Sequence, residues 1–580
     1  MATKIHAAPA ASTGDLALPR SWRWRDPLLQ YGIALACLLL VAAPILPIVY
    51  QSFIDRPIYE DGQALTLVNY ANLVGAPEFR EVLGNTLLFA FLSTVISQVV
   101  GLVTAILVGR TDVPWRRFFG DALLWTLFVS HLVLALGWVI MYGPSGYITG
   151  YVMQLTGGQP WNLYTIPGLS IAAGLSLAPL TYLYCIASAT QQDPALEEAA
   201  RVAGAGPFRI LFSVTIPLLR PALVYSTILN FVIALEMLAM PLFLGGPVGL
   251  RFFTTFLYEQ GFEAPVKDYG LVGAAAVVLL IVITLLVLLQ NRLLRNAQRF
   301  VTVGGKASRP RLLRLGRLRW AAFAFLLLYF VFGTGAVILG LVLRAFTSFL
   351  SPLVPLVDTL TWDNWTFIFS YPVYVRSIVN TLEIALVGGA LGTVFIALVA
   401  LLVHRSRWRW RRQLEFVALY PRAIPGILVG LGAFYAVTLM PFLGGLRNTI
   451  WILVLIYIMR YLPTGFGAVA PTLMQIGQDL DRAARTAGAD WWTTCRRILA
   501  GLIRPALLSC FAILFIHFIK EYSAAVFLYA PGSEVMGTVM LSFWAQGEAG
   551  PVAALAVLQI LVVAVFVVVT RKLFKVKIYG

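Results

Sequence analysis

The chain has 580 residues, of which 59% are hydrophobic and 12% are charged, and its formal net charge is +17. Soluble domains are about 45–50% apolar and about 25% charged, so this composition excludes a soluble fold of this size. The basic residues collect in alternate loops between apolar runs, which is typical of a membrane protein and not of a nucleic-acid-binding surface. The expected surroundings are therefore a lipid bilayer, and no nucleic-acid partner is expected.

Apolar runs of about 20 residues, the length that crosses a bilayer, recur along the chain and predict an all-α polytopic membrane protein. A basic tail at residues 1–28 precedes the first run and is polar for too long to be a cleaved signal peptide. About twelve transmembrane helices are expected, near residues 29–52, 83–109, 118–142, 167–190, 221–245, 269–291, 319–344, 378–403, 414–440, 449–470, 505–529 and 550–571.

The loop charges predict the orientation of the chain. Arginines follow the second, sixth and eighth predicted spans, whereas the loops on the other side, such as residues 143–168, are nearly free of basic residues. Because cytoplasmic loops carry the excess of lysine and arginine, and because the number of spans is even, both termini are expected in the cytoplasm.

Two stretches of the chain repeat each other. Residues 85–117 align without a gap with residues 380–412, from Asn-Thr-Leu to Trp-Arg-Arg. Farther along, Gly204 matches Gly488, and the difference in residue number between matched positions is smaller there than in the first stretch. This smaller difference then holds to the end of the repeat. The first half is therefore expected to carry a longer outward loop after its third span.

This repeat predicts two homologous six-helix halves in parallel orientation, with a transport pathway at their interface. The predicted segments are a first half at residues 29–291, a basic cytoplasmic linker at 292–318, a second half at 319–571 and a cytoplasmic tail at 572–580.

A short polar stretch, EEAARVAGAG at residues 197–206, lies between the fourth and fifth spans, and DRAARTAGAD at 481–490 has the same place in the second half. Pro194 suits a helix start, and acidic residues in the first turn complement the helix dipole. The alanines form a small-residue face that another surface can approach closely, and Gly204 permits a turn after the helix.

This stretch resembles the EAA signature of the membrane subunits of bacterial binding-protein-dependent ABC importers. The resemblance implies the type I importer fold, a place in the inner membrane, and a coupling helix that docks on a separate cytoplasmic ATPase. The implied coupling loops are residues 191–220 and 471–504, and the implied contact residues are Glu197, Glu198, Ala199, Ala200, Gly204, Asp481, Ala483, Ala484 and Gly488.

The second copy departs from this signature, because Arg482 replaces the glutamate and Gly501 replaces a proline, Pro217. The role of the glutamate is therefore not transferred to Arg482. We expect the alanine face and the glycine turn to matter in both halves and the carboxylate in the first half alone. An ordinary amphipathic connector is the alternative interpretation, and the repetition at matched positions argues against it.

No phosphate-binding G-x-x-x-x-G-K-[ST] sequence occurs in the chain. ATP hydrolysis is thus expected in a partner ATPase, in two copies, and this chain is expected to be a transport subunit without catalytic residues, bound cofactor or metal. The resemblance also implies a periplasmic substrate-binding protein that docks on the outward loops. The four cysteines lie in apolar spans or a basic loop and predict no disulfide.

Five ionisable residues fall inside predicted spans, where charges usually face a bundle interior or a water path: Glu236, Glu383, Arg460, Lys520 and Glu521. Lys520 is the counterpart of Glu236 in the repeat. Two interpretations remain open: an ion pair of Glu236 with Lys520 that holds the halves together, or a group of residues, Glu236, Lys520 and Glu521, that lines the pathway or its gate.

The segment KEYSAAVFLYAPGSEV at residues 520–535 resembles the ferric-iron class of double-length permeases. Ferric iron is therefore the expected cargo, and thiamine, a phosphonate compound, a polyamine or a sulfate-like anion is the alternative. A secondary transporter driven by an ion gradient also has parallel halves, but it needs no docking motif and would show acidic or histidine proton relays.

Overall fold

In the computed structural model, the described residues are 22–191, 194–265, 267–294 and 312–574. Within these ranges the chain forms helices and three isolated β-bridges, with no extended strand, so the all-α prediction is confirmed. Nine helices of this described part are long and apolar enough to cross a membrane, and three bent helix pairs raise the number to twelve.

The long helices of the first half are Trp22–Ser52, Pro77–Arg110, Arg116–Thr126, His131–Tyr142, Ile166–Gln191, Arg220–Glu236 and Tyr269–Leu294. Shorter helical segments connect them: Val68–Gly75, Tyr147–Thr156, Pro194–Val202, Pro207–Ile210, Leu211–Thr215, Ile216–Leu218, Pro241–Gly245, Gly246–Val248, Phe253–Tyr258 and Glu259–Glu263.

The second half repeats this order. Its long helices are Leu318–Leu328 with Tyr329–Gly335 and Ala336–Ala345, Pro372–Glu383 with Ile384–Gly388 and Gly389–Arg405, Arg411–Leu419, Gly426–Leu439, Ile450–Gln475, Arg504–Ile519 and Ala549–Phe574. Its shorter segments are Leu356–Thr359, Asp363–Ser370, Tyr420–Ala423, Pro441–Leu446, Asp479–Thr486, Trp491–Thr494, Cys495–Leu499, Ala500–Leu502, Val526–Leu528 and Met536–Ala545.

The structure corrects the predicted ends of the chain segments. The helix of the first span begins at Trp22, inside the predicted tail 1–28. The helix of the sixth span continues to Leu294, inside the predicted linker. The remaining parts of the predicted tails and linker, residues 1–21, 295–311 and 575–580, lie outside the described residues.

The third and fifth spans of both halves were predicted as continuous helices, and this was wrong. Residues 127–130 interrupt the third span of the first half, and the equivalent span of the second half bends by 111° before Gly426. The fifth spans end at Glu236 and Ile519, well before the predicted ends at residues 245 and 529. These segments are mainly apolar, so hydropathy predicts continuous helices and does not reveal the breaks.

The predicted repeat extends farther than the aligned sequence. Asn69 and Asn364, which occupy equivalent positions, both donate from their side-chain amides to carbonyl groups at the end of the preceding span. The extra outward segment of the first half contains the helix Tyr147–Thr156, where the second half has the short turn Pro441–Leu446.

The first span of each half packs against the third span of the other half. Gly137 and Gly432 occupy equivalent positions on the third spans, and a Cβ at either residue would collide with a carbonyl oxygen of the crossing helix, at Val337 and Pro44 respectively. Small residues at such crossings let two membrane helices approach closely. The exchange of first spans ties the two halves into one body.

Candidate functional site

The two polar stretches form equivalent short helices, which we name the motif helices: Pro194–Val202 and Asp479–Thr486. Gly204 and Gly488 follow them with φ of 83° and 82°, a left-handed conformation that favours glycine. Beyond each glycine, a backbone N–H donates to a carbonyl oxygen five residues earlier, from Ala205 at 3.0 Å and from Ala489 at 2.9 Å. The predicted glycine turn is thus present in both halves.

Each motif helix exposes an alanine beside a charged residue. Glu198 and Ala199 are exposed in the first half, and Arg482 and Ala483 are exposed in the second. Val202, at the end of the first motif helix, is 90% exposed. Nothing in the described part of the chain covers these faces, so they are open to another protein.

In both halves, the acidic residue directly before Glu198 or its counterpart Arg482 is buried. Glu197 forms an ion pair with Arg110 at 3.5 Å, and their side chains are 7% and 2% exposed. The hydroxyl group of Thr215 donates to Glu197 at 2.9 Å. Since Arg110 is the last residue of the second span, this contact fastens the first motif helix to a transmembrane helix.

The second half contains the same contact. Asp481 forms an ion pair with Arg405 at 3.4 Å, and Arg405 is again the last residue of the second span. The guanidinium also donates to the carbonyl oxygens of Ile476 at 3.2 Å and Gly477 at 3.3 Å. The prediction that restricts a carboxylate role to the first half concerns Glu198, the counterpart of Arg482, and these ion pairs leave it a prediction. The acidic residue one position earlier, Glu197 or Asp481, pairs with arginine in both halves.

A bend follows each motif helix before the fifth span begins. The bends are 64° at Leu219 and 78° at Ile503. Pro217 precedes the first bend, but the second half bends by a larger angle with Gly501 at the equivalent position. The shared feature is a proline in the first turn of the fifth span, Pro221 or Pro505, which lacks the N–H that would continue the preceding helix.

A cavity of about 570 Å³ lies between the two halves. Its walls come from the third, fourth and fifth spans of both halves, including the interrupted segments. One stripe of its wall follows the fifth span from Tyr225 to Glu236, and at about 1.5 Å per residue this stripe is roughly 16 Å long. Because Tyr225 lies near the start of that span, this end of the cavity faces the motif helices.

Arg460 organises the other end of the cavity. Its guanidinium lies 3.1 Å from Glu521 and 3.7 Å from Glu236, and it donates to the hydroxyl oxygen of Ser523 at 2.7 Å. Glu521 also accepts hydrogen bonds from the hydroxyl group of Tyr461 and from backbone N–H groups. One arginine therefore contacts both carboxylates.

The predicted ion pair of Glu236 with Lys520 does not form, since Glu236 pairs with Arg460 instead. The Lys520 amine donates to the carbonyl oxygen of Leu127 at 2.7 Å, where the third span of the first half is interrupted. Among the described residues, no carboxylate lies within ion-pair distance of this amine. The alternative interpretation, in which Glu236, Lys520 and Glu521 line a cavity, agrees with the geometry.

Direct contacts between the halves close the cavity at this end. The backbone N–H of Ala239 donates to the hydroxyl oxygen of Tyr522 at 3.2 Å, and Ser130 donates to Gln559 at 3.2 Å. Together with the Arg460 and Lys520 contacts, these form a layer that we name the inter-half layer. At the motif-helix end, Arg422 contacts Tyr225 across the cavity.

The family profile described as "Binding-protein-dependent transport system inner membrane component" matches residues 99–300 and 392–575, once in each half. The chain belongs to this family. Each match contains one motif helix, so the signature and the two-fold repeat agree with the fold.

Among curated proteins, this permease is similar to the ferric transport system permease protein FbpB of Actinobacillus pleuropneumoniae, with 27% identity over 93% of this chain and 77% of the relative. It is 26% identical to the putative ferric transport system permease protein FbpB 1 of Haemophilus influenzae, over 87% of this chain and 78% of the relative. The sulfate transport system permease protein CysW of Synechocystis is 27% identical over 47% of this chain and 93% of the relative.

The remaining site predictions for this permease have mixed outcomes. Ala200 is half-buried and Ala484 is buried, so these two alanines support the motif helices and do not face outward. Glu383 does not line the cavity. The four cysteines are free and buried, as expected: Cys37, Cys185, Cys495 and Cys510.

Gly204→Val is expected to uncouple ATP hydrolysis from transport. A Cβ at Gly204 would meet no atom within 4 Å in the described chain, so the effect comes from backbone strain alone, about 1–3 kcal/mol for a left-handed residue. Asparagine tolerates this conformation, and Gly204→Asn is the matched control that should keep most transport. Substrate uptake per ATP hydrolysed, measured for both variants and for Gly488→Val, checks this; equal coupling in the valine and asparagine variants would refute the turn argument.

Proposed function

We propose that this permease carries ferric iron, delivered by a periplasmic binding protein, as the membrane subunit of an ATP-driven importer. The observation that carries the proposal is the similarity to a ferric transport permease over 93% of the chain. The cavity between the halves is the proposed path of the cargo, because the equivalent third, fourth and fifth spans of both halves line it.

The proposed ATP-hydrolysing partner is a separate cytoplasmic ATPase in two copies, one under each motif helix. The exposed faces around Ala199 and Ala483 support this arrangement, as does the lack of a nucleotide-binding loop in the sequence. The loop charges favour a cytoplasmic position for both motif helices and both termini.

The proposed coupling runs through the buried ion pairs. Movement of the ATPase shifts the motif helices, and the pairs of Arg110 with Glu197 and of Arg405 with Asp481 pass this movement to the second spans. The second span of the first half packs along the fourth span and along the fifth span, whose last residue, Glu236, belongs to the inter-half layer. Opening of this layer would expose the cavity to the periplasm.

The cargo is tested by uptake of radiolabelled iron in a strain that lacks this chain. We expect loss of iron uptake and its recovery with the wild-type chain, but not with Gly204→Val. Sulfate uptake, measured in the same cells, is expected to be unchanged. Unchanged iron uptake in the deletion strain would overturn the iron assignment, and a loss of sulfate uptake would favour the sulfate-like alternative.

A further inference from the structure

The charges that face the cavity are unevenly neutralised. The cationic lining residues are Arg422, Arg460 and Lys520, the acidic ones are Glu236 and Glu521, and the lining also contains His131 and His517. Both carboxylates are held by Arg460, as described above. Arg460 brings one positive charge to two carboxylates, whereas Lys520 and Arg422 have no acidic partner within ion-pair distance among the described residues, so the lining has a formal excess of one positive charge.

Hydrogen-bond donors concentrate near the Lys520 end. The amine of Lys520 uses one of its three protons on the carbonyl oxygen of Leu127, and the others remain for a ligand. His131 and His517 line the same cavity as Lys520, and His517 stacks on Tyr461 with ring centroids 4.6 Å apart. These groups come from both halves and meet at the inter-half layer.

A bare ferric ion does not fit this wall. Hard cations take carboxylate and other oxygen ligands, and here both carboxylates of the cavity are already engaged by a guanidinium. The described residues contain no cluster of three or more histidine, cysteine or acidic side chains suited to a metal ion. A trivalent cation would also be repelled by the unpaired lysine and arginine charges.

We propose that the cavity contains an oxyanion subsite formed by Lys520, His131 and His517 beside Arg460. An oxyanion such as phosphate, sulfate or a carboxylate accepts hydrogen bonds from these donors and neutralises the Lys520 amine. The proposal rests on the transport role proposed for the cavity. The oxyanion enters either free or as a ligand of ferric iron, in a complex without net positive charge.

The sign of the cavity field is tested on a single cysteine. Ile233→Cys places a thiol on the cavity wall, and the native cysteines are buried, so they give little background. The complex of the full chain with its ATPase, free of nucleotide, is treated with an anionic and with a cationic methanethiosulfonate reagent. Leu353→Cys, at a residue that is 79% exposed and outside the cavity, provides the reference ratio of the two rates.

We expect the anionic reagent to be favoured by about tenfold at Ile233→Cys relative to Leu353→Cys, a size typical of one nearby charge in a partly hydrated site. In that background Lys520→Gln, which can still donate to Leu127, should abolish most of this preference, and Lys520→Arg should keep it. Equal ratios at the two cysteines, or an unchanged ratio in Lys520→Gln, would overturn the subsite. This measurement contains no iron, so its outcome is independent of the iron assignment.

The source of the oxyanion is identified by a protection experiment on the same cysteine. A neutral maleimide modifies the thiol, and a bound oxyanion should slow this modification. Slower modification in phosphate alone indicates a free oxyanion, and slower modification only in ferric citrate, with citrate alone as control, indicates a ferric complex. Either result should disappear in Lys520→Gln. No protection by phosphate, sulfate, citrate or ferric citrate would overturn the proposal that the cavity binds an oxyanion.

Discussion

Glu197→Ala is expected to destabilise the permease by about 3–5 kcal/mol, the range found when one partner of a buried ion pair is removed. The substitution removes the Glu197 carboxylate from beside Arg110, which is 1% exposed, at the point where the second span ends. The first motif helix loses its ion pair with the second span, so ATP-coupled transport should also be lost. Protein abundance in the membrane and the melting temperature of the purified chain measure the effect.

Two further variants make this result specific. Glu198→Ala changes the adjacent but exposed carboxylate, and its melting temperature should equal that of the wild type. The double variant Arg110→Met with Glu197→Leu removes both charges and should recover most of the lost stability, since apolar replacements of buried pairs are often neutral. Equal melting temperatures for Glu197→Ala and Glu198→Ala would contradict the assignment.

Arg460→Met is expected to abolish transport. It removes the cation shared by Glu236 and Glu521, and an uncompensated buried carboxylate costs about 3–5 kcal/mol. Glu521 keeps its hydrogen bonds from Tyr461 and from the backbone. Of the two carboxylates, Glu236 should therefore contribute more to the destabilisation of the folded permease. Membrane abundance, melting temperature and iron uptake are the measurements.

A neutralised variant separates folding from gating. Adding Glu236→Gln and Glu521→Gln to Arg460→Met removes the unpaired charges, and abundance should recover while transport stays defective. Arg460→Lys should keep partial transport, because a lysine can face both carboxylates but cannot form the same fork of hydrogen bonds. Wild-type uptake by Arg460→Met would show that the inter-half layer has no part in the transport cycle.

The repeat made much of the fold predictable from the sequence. Hydropathy located the spans, and the matched glycines at 204 and 488 located the turns, because glycine is the residue that takes a left-handed conformation without strain. The ion pairs of the motif helices could also have been predicted from the sequence. Arg110 matches Arg405 and Glu197 matches Asp481 in the same alignments, and two charges of opposite sign kept at matched positions indicate a contact.

The cavity was less predictable, because its geometry depends on helix breaks. The fifth spans stay apolar beyond Glu236 and Ile519, so no change in hydropathy marks the end of either helix. Pairing of Glu236 with Lys520 was inferred from equal depth in the two halves. Arg460, on the fourth span, approaches both carboxylates only after three separate helices pack together, and pairwise sequence reasoning does not reveal such a contact.

The most direct test of the central claim, that the chain is a permease powered by a separate ATPase, is iron transport in proteoliposomes. The chain is reconstituted with and without the co-purified ATPase, and the iron-loaded binding protein is added on the side opposite to the motif helices. Iron should accumulate with ATP and the ATPase together and not with either omitted. Iron transport by the chain alone, driven by an ion gradient without ATP, would contradict the account.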